Sequence, residues 1–337
     1  MRPSFLREYP LSRLRRLRRD DFSRRLVQEN RLSSDDLVYP IFILDHDTEI
    51  QNIESMPGIQ RHGFNSLLKT AERCVELRIP AVALFPVIDP QLKDPSGTQA
   101  LNKNGLIPRA VKLLKQNFPE LGIISDIALD PYTSHGQDGL IDSDGFVLND
   151  PTIKILVEQS LLYASCGVDI VAPSDMMDGR IGLIRQNLEE QGFQDTKILS
   201  YAAKYASGFY GPFREAVGSA QQLGKSHKKT YQMDPANSQE ALHEASLDLS
   251  EGADMLMVKP GLPYLDIVSK IKTNFGVPTL VYQVSGEYAM IKAASERGWI
   301  NHDVVMMETL LSMKRAGADA IFTYHALEAA TLLRQQT

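Results

Sequence analysis

Eight short apolar runs, separated by longer stretches of helical periodicity, constrain this chain more than any other feature. They lie at 39–44 (YPIFIL), 81–87 (AVALFPV), 122–129 (GIISDIAL), 169–174 (DIVAPS), 197–203 (KILSYAA), 254–260 (DMLMVKP), 278–284 (PTLVYQV) and 320–324 (AIFTY). Most are continuously apolar rather than alternating, as strands buried on both faces are. Eight βα units predict a (β/α)8 TIM barrel, with its chemistry at the strand C-termini. A doubly wound open sheet is the alternative, but no G-x-G-x-x-G follows the first run. The 337 residues fit one barrel with insertions.

Between the runs, 65–77 places Leu67, Leu68, Ala71, Val75 and Leu77 near one stripe, and 151–164 opens on Pro151. A third helix is expected over 238–250, with Glu240 and Glu244 in its early turns. Gly167, Gly252 and Gly317 each stand where a helix stops and a strand begins, a position suited to the left-handed region. Segments 88–109, 130–150 and 205–237 are too long for simple connectors and are expected to be functional loops.

Residues 1–31 carry ten arginines against Glu8, Asp20, Asp21 and Glu29, a net of +6 in a chain of net −6, so the other 306 residues carry −12. Such an arm suits nucleic acid or the acidic surface of a neighbouring subunit. The lack of lysine and the helical spacing of Leu11, Leu14 and Leu17 favour docking on a subunit. The expected domains are therefore an arm over 1–31 for subunit contacts and a catalytic barrel over 32–337. No apolar run is long enough to span a bilayer, and the basic N-terminus lacks the apolar segment of a signal peptide. Cys74 and Cys166 are too few for a disulfide framework or a cysteine zinc site. A cytoplasmic protein is expected, with neither membrane nor nucleic acid as partner.

At the strand ends stand Asp126 and Asp130, Ser174 and Asp175, Lys204, Lys259, Ser285 and Tyr324. Two lysines ending adjacent strands stand apart from the rest. A lysine is a nucleophile only as the neutral amine, and burial beside a second ammonium lowers its pKa. Its target is a carbonyl, giving a Schiff base; the plainer alternative is a pair of salt-bridged lysines at the barrel mouth. Arg214, Lys225, Lys228 and Lys229 follow in the long loop, where Arg214 suits a bidentate carboxylate clamp. Ser285 and Tyr324 suit a second clamp. Asp126, Asp130, His135, Asp138, Asp142 and Asp144 crowd nineteen residues, a composition shared by hard-cation sites and mobile lids. His243 and Glu244 offer further cation ligands.

At these residues the chain resembles the porphobilinogen synthase (5-aminolevulinate dehydratase) family. The resemblance is carried by GADMLMVKPGLPY at 252–264, APSDMMDGR at 172–180, SYAAKY at 200–205, YQMDPAN at 231–237 and YQVSGEY at 282–288, and runs from about residue 9 to the C-terminus. It implies condensation of two 5-aminolevulinate molecules to porphobilinogen with loss of two waters, in tetrapyrrole (haem) synthesis. It also implies Schiff bases on Lys259, serving the propionate side, and on Lys204, serving the acetate side. Asp126 joins them as a catalytic group, Arg214 and Lys228 hold one carboxylate, and Ser285 and Tyr324 hold the other. Where zinc-dependent members carry three lid cysteines, this chain has Ala128, Asp130 and Asp138. The pattern resembles the aspartate-rich branch, so zinc is not expected and Mg2+ is expected as a stimulatory ion on Glu244, away from the active site. The family also implies a homo-oligomer, an octamer. A class I aldolase and a nucleic-acid binder are the competing readings; paired lysines with two carboxylate clamps favour the condensation.

Overall fold

The computed structural model describes residues 8–218 and 227–335. The chain divides into two compact units, Met1–Arg31 and Leu32–Thr337. In the larger unit β1 (Leu37–Leu44), β4 (Ala81–Val87), β5 (Gly122–Ile127), β6 (Ile170–Pro173), β7 (Lys197–Lys204), β8 (Met255–Lys259), β9 (Thr279–Gln283) and β10 (Ala320–Thr323) run parallel in chain order. Pairing of Leu37 with Ile321 and of Val38 with Phe322 joins the last strand to the first and closes an eight-stranded barrel. The open-sheet alternative is thereby excluded. A hairpin of β2 (Ile50–Asn52) and β3 (Gln60–His62), too short to stand out in the sequence, extends the sheet beside β1.

All eight runs become strands, with no end shifted by more than two residues. Their continuous apolarity follows from two cores. Phe42, Phe85, Ile124, Met257, Tyr282 and Phe322 fill the barrel interior, while Ile41, Ile43, Leu84, Val258 and Val281 face the helical shell. Successive strand residues alternate between these cores, so neither face reaches water. Burial of this kind contributes roughly 1.5–3 kcal/mol per large side chain.

The three helices expected from periodicity form over Phe64–Glu76, Asn149–Ser165 and Glu240–Ser250. Gly167, Gly252 and Gly317 have φ of 101°, 104° and 115°, the left-handed stop that their positions require. Two expected loops carry more structure than their composition indicates. The helix Leu106–Asn117 begins inside 88–109, and the segment after β7 holds the short helix Gly211–Ala216. The sequence reading also passed over the helix Arg180–Glu190.

In the smaller unit, a 3-10 turn, Leu14–Arg18, precedes a short helix, Asp21–Leu26. The helical spacing of Leu11, Leu14 and Leu17 does not produce an α-helix there, since so few turns are not stable without packing. Tyr9, Leu11, Leu14, Phe22 and Leu26 are exposed.

Candidate active site

Lys204 and Lys259 end adjacent strands and are register partners, so their side chains leave the same face of the sheet. An irregularity in β7 makes this so. Between Ser200 and Ala203 β7 advances three residues where β8, from Leu256 to Val258, advances two. Leu199 and Tyr201 lie in the interior core, so strict alternation would turn Lys204 outward. The extra residue reverses the alternation and aims Lys204 inward, as bulges beside active sites do.

The two ammonium groups have opposite surroundings. Lys259 is 7% exposed, and its Nζ lies 4.5 Å from the ring centroid of Tyr282, 5.1 Å from Phe213, 5.3 Å from Tyr201 and 5.4 Å from Tyr210. Burial first, and then the charge of Lys204, push its pKa down to about 7, against the pull of Asp126, Asp130 and Asp138. An amine so placed is substantially neutral near neutral pH. Lys204 instead donates to the carbonyl of Ser174 and lies 3.5 Å from Asp138 Oδ1.

Three carboxylates face this pair. Asp126, one residue from the end of β5, has its Oδ1 buried and without a hydrogen-bond partner. Burial, then repulsion from Asp130, push its pKa up to about 7, although Lys204 and Lys259 oppose the rise. Asp138 goes the other way. Burial raises it, but Lys204 and Lys228 together hold its carboxyl down at about 2. Lys228 Nζ sits 2.8 Å from Asp138 Oδ2 and 3.1 Å from Asp130 Oδ2, and Tyr231 donates to Asp138 at 2.6 Å. Burial would lower the Lys228 pKa, yet Asp130 and Asp138 prevail and raise it. A lysine ammonium thus bridges Asp130 and Asp138, in the charge-neutralising place a cation would take.

The residues expected to bind carboxylates have the following surroundings. Ser285 Oγ accepts from the Phe213 backbone N–H at 2.9 Å, and Tyr324 and Tyr282 share a hydroxyl contact of 2.9 Å beside Lys259. Arg214 is half-buried on the helix Gly211–Ala216 and forms no ion pair among the described residues. Lys228 uses two of its three donors on aspartates, leaving one. Lys225 lies outside the described residues. Lys229 is exposed, Asp142 caps its own turn and His135 bonds the Pro95 carbonyl at 3.2 Å; none of them points to the amines.

Sequence reasoning missed the four rings around Lys259, which come from three separate segments, and Gly286. A Cβ on Gly286 would lie 2.5 Å from the Phe209 carbonyl oxygen, so only glycine lets the Phe209–Phe213 stretch pack there. It also missed Arg180, which is 2% exposed and lies 3.5 Å from Asp175 and 3.3 Å from Asp248. That network joins the segment after β6 to the helix bearing Glu244. Burial and the neighbouring Asp248, opposed by Arg180, push the Glu244 carboxyl up to about 7, with Asp178 and Glu240 adding to the rise. Glu244 therefore stands in a negative field, on the helix that precedes β8.

Comparison with known proteins identifies the family. The family model described as delta-aminolevulinic acid dehydratase matches residues 11–332. A delta-aminolevulinic acid dehydratase of Bradyrhizobium diazoefficiens is 54% identical over 324 residues, covering 96% of this chain and 91% of its own. That of Rhodobacter capsulatus is 52% identical, covering 96% and 97%. The crystal structure of delta-aminolevulinic acid dehydratase (porphobilinogen synthase) from Toxoplasma gondii, in complex with the reaction product porphobilinogen, superposes with a TM-score of 0.95. It is 48% identical and covers 97% of this chain and 92% of its own. A full-length match of this kind leaves neither the aldolase nor the nucleic-acid reading standing: the chain belongs to the delta-aminolevulinic acid dehydratase family.

Proposed function

We propose that the protein condenses two molecules of 5-aminolevulinate to porphobilinogen, releasing two waters, as a lyase of tetrapyrrole and haem synthesis. The observation that carries this reading is the pair of inward lysines, one of them buried among aromatic rings with its pKa lowered by burial to about 7, with two sets of groups suited to carboxylates. Two amines meet two ketones, and two clamps meet two carboxylates.

The neutral amine of Lys259 attacks the ketone carbon of one substrate, forming a C–N bond. The carbonyl oxygen takes up two protons and leaves as water, giving the iminium. Lys204 does the same for the second substrate. One iminium acidifies its adjacent carbon, which loses a proton, and the resulting enamine attacks the iminium carbon of the other substrate. Attack of that substrate's free amino group on the remaining iminium carbon, with proton losses, then releases both lysines as amines and closes the pyrrole. Asp126, titrating near 7, is matched to the proton transfers that these steps require. Ser285 and Tyr324 hold the propionate-side carboxylate; Arg214 and the free donor of Lys228 hold the acetate-side one. Asp130 and Asp138 belong to the lid and keep Lys228 and Lys204 in place.

We assign Mg2+ to Glu244 as a stimulatory ion outside the catalytic centre. The raised pKa of Glu244 among acidic neighbours is the field a hard cation relieves. Magnesium commonly keeps several waters and one or two carboxylates, which suits a site with few protein ligands. No zinc step is assigned to catalysis, because the lid positions are Ala128, Asp130 and Asp138, and Lys228 bridges the two aspartates. The arm over 1–31 joins subunits into a homo-oligomer, an octamer, in the cytoplasm; among the described residues no helix is long and apolar enough to cross a membrane. Supplying 5-aminolevulinate and assaying porphobilinogen by its colour reaction tests the activity: product formed in proportion to enzyme supports it, and none with Mg2+ present refutes it.

A further inference from the structure

Away from the lysines, a cavity of ≈ 360 Å³ is lined by His302, Asp303, Leu327, Glu328, Thr331 and Leu332. We propose that His302, His325 and Glu328 form a separate binding site for a divalent cation of the zinc type. His302 opens the helix His302–Ala316, His325 lies between β10 and the helix Ala326–Gln335, and Glu328 lies in the first turn of that helix. One ligand atom from each falls within 4.8 Å of the others. Glu328 Oε2 is 3.0 Å from His325 Nδ1 and 3.5 Å from His302 Nε2. Zinc ligands at about 2.0–2.2 Å in a tetrahedron stand roughly 3.3–3.5 Å apart, so small side-chain movements reach that geometry.

The hydrogen bonds point the same way. His302 Nδ1 lies 2.9 Å from Asp303 Oδ1, the carboxylate–imidazole pairing that orients metal-binding histidines. A proton donated there leaves a lone pair on His302 Nε2 directed at a carboxylate oxygen, two acceptors face to face. His302 Nε2 and His325 Nε2 are both buried with no hydrogen-bond partner, and His325 is 0% exposed. A cation between the two imidazoles and Glu328 resolves the first conflict. Lys292, 2.5 Å from Glu328 Oε1, occupies the other carboxylate oxygen and leaves Oε2 to the site. The ring of Tyr288, 4.3 Å from that of His325, fixes the imidazole plane. Two imidazoles and one carboxylate suit zinc over magnesium and leave a fourth position for water or a small anion in the cavity. The site shares no residue with the catalytic centre or with Glu244.

Titration of the full-length protein with Co2+, in excess Mg2+, tests this by equilibrium dialysis and visible absorption. One Co2+ per chain is expected, with the intense bands of a four-coordinate ion, and Zn2+ should displace it. His302→Gln, at a partly exposed position, and His325→Phe, which keeps the ring packing on Tyr288, should each weaken Co2+ binding at least about 10-fold. Glu244→Gln should bind Co2+ as the parent does. Absence of Co2+ binding by the parent, retention of it in either histidine variant, or its loss in Glu244→Gln overturns the site.

Discussion

At the residue scale, Lys259 is held in a state that favours chemistry over stability. Its pKa of about 7 lies below the usual 10.5, so the unfolded chain binds more protons than the native one between those values. The native state is penalised most below pH 7, and the penalty disappears as pH approaches 10.5. Lys259→Met removes it while keeping an apolar chain among the aromatic rings. Unfolding at pH 7 should become about 2–4 kcal/mol more costly, porphobilinogen synthesis should vanish, and the stability difference should shrink between pH 8 and pH 10. Chemical denaturation across that range checks it. A less stable variant at pH 7 would mean that the lysine is charged and paired. The lysine itself is legible in the sequence as the polar end of an apolar run. Its altered acidity is not, because Tyr201, Tyr210, Phe213 and Tyr282 meet around it only after the barrel closes.

At the scale of elements, the strands were legible because burial on both faces leaves unbroken apolar runs. The inward aim of Lys204 was not, since nothing in SYAAK marks a bulge; the extra residue is visible only against the register of β8. The packing of Gly286 was hidden likewise, as its neighbour Phe209 comes from a distant loop. Gly286→Ala should force that loop away from the helix Ser285–Glu296, moving Phe213 and Arg214 together. The expected outcome is a loss of kcat/KM of roughly 10²-fold, the order that a misplacement of about 1 Å costs, with the fold retained by circular dichroism. Parent kinetics would show that the loop yields without disturbing the clamp. For Glu244, on another helix, EDTA should lower activity and Mg2+ restore it, and Glu244→Ala should abolish that response while basal turnover survives. An unchanged Mg2+ response in Glu244→Ala would remove Glu244 from the metal site.

At the scale of the whole molecule, a +6 arm belongs to a chain whose remainder carries −12. Exposed Leu11, Leu14 and Leu26 add apolar surface that salt does not screen. Deleting residues 1–31 should therefore reduce the particle size in sedimentation, whereas high salt alone should reduce it less; an unchanged size would detach the arm from assembly. The mechanism proposed for the enzyme is covalent capture of a ketone by a buried amine, which borohydride reads directly. Reduction of the full-length protein with 5-aminolevulinate should fix one substrate mass on the peptide containing Lys259, with yield falling as pH drops through about 7 and the amine gains its proton. A label on neither Lys259 nor Lys204 would contradict the mechanism.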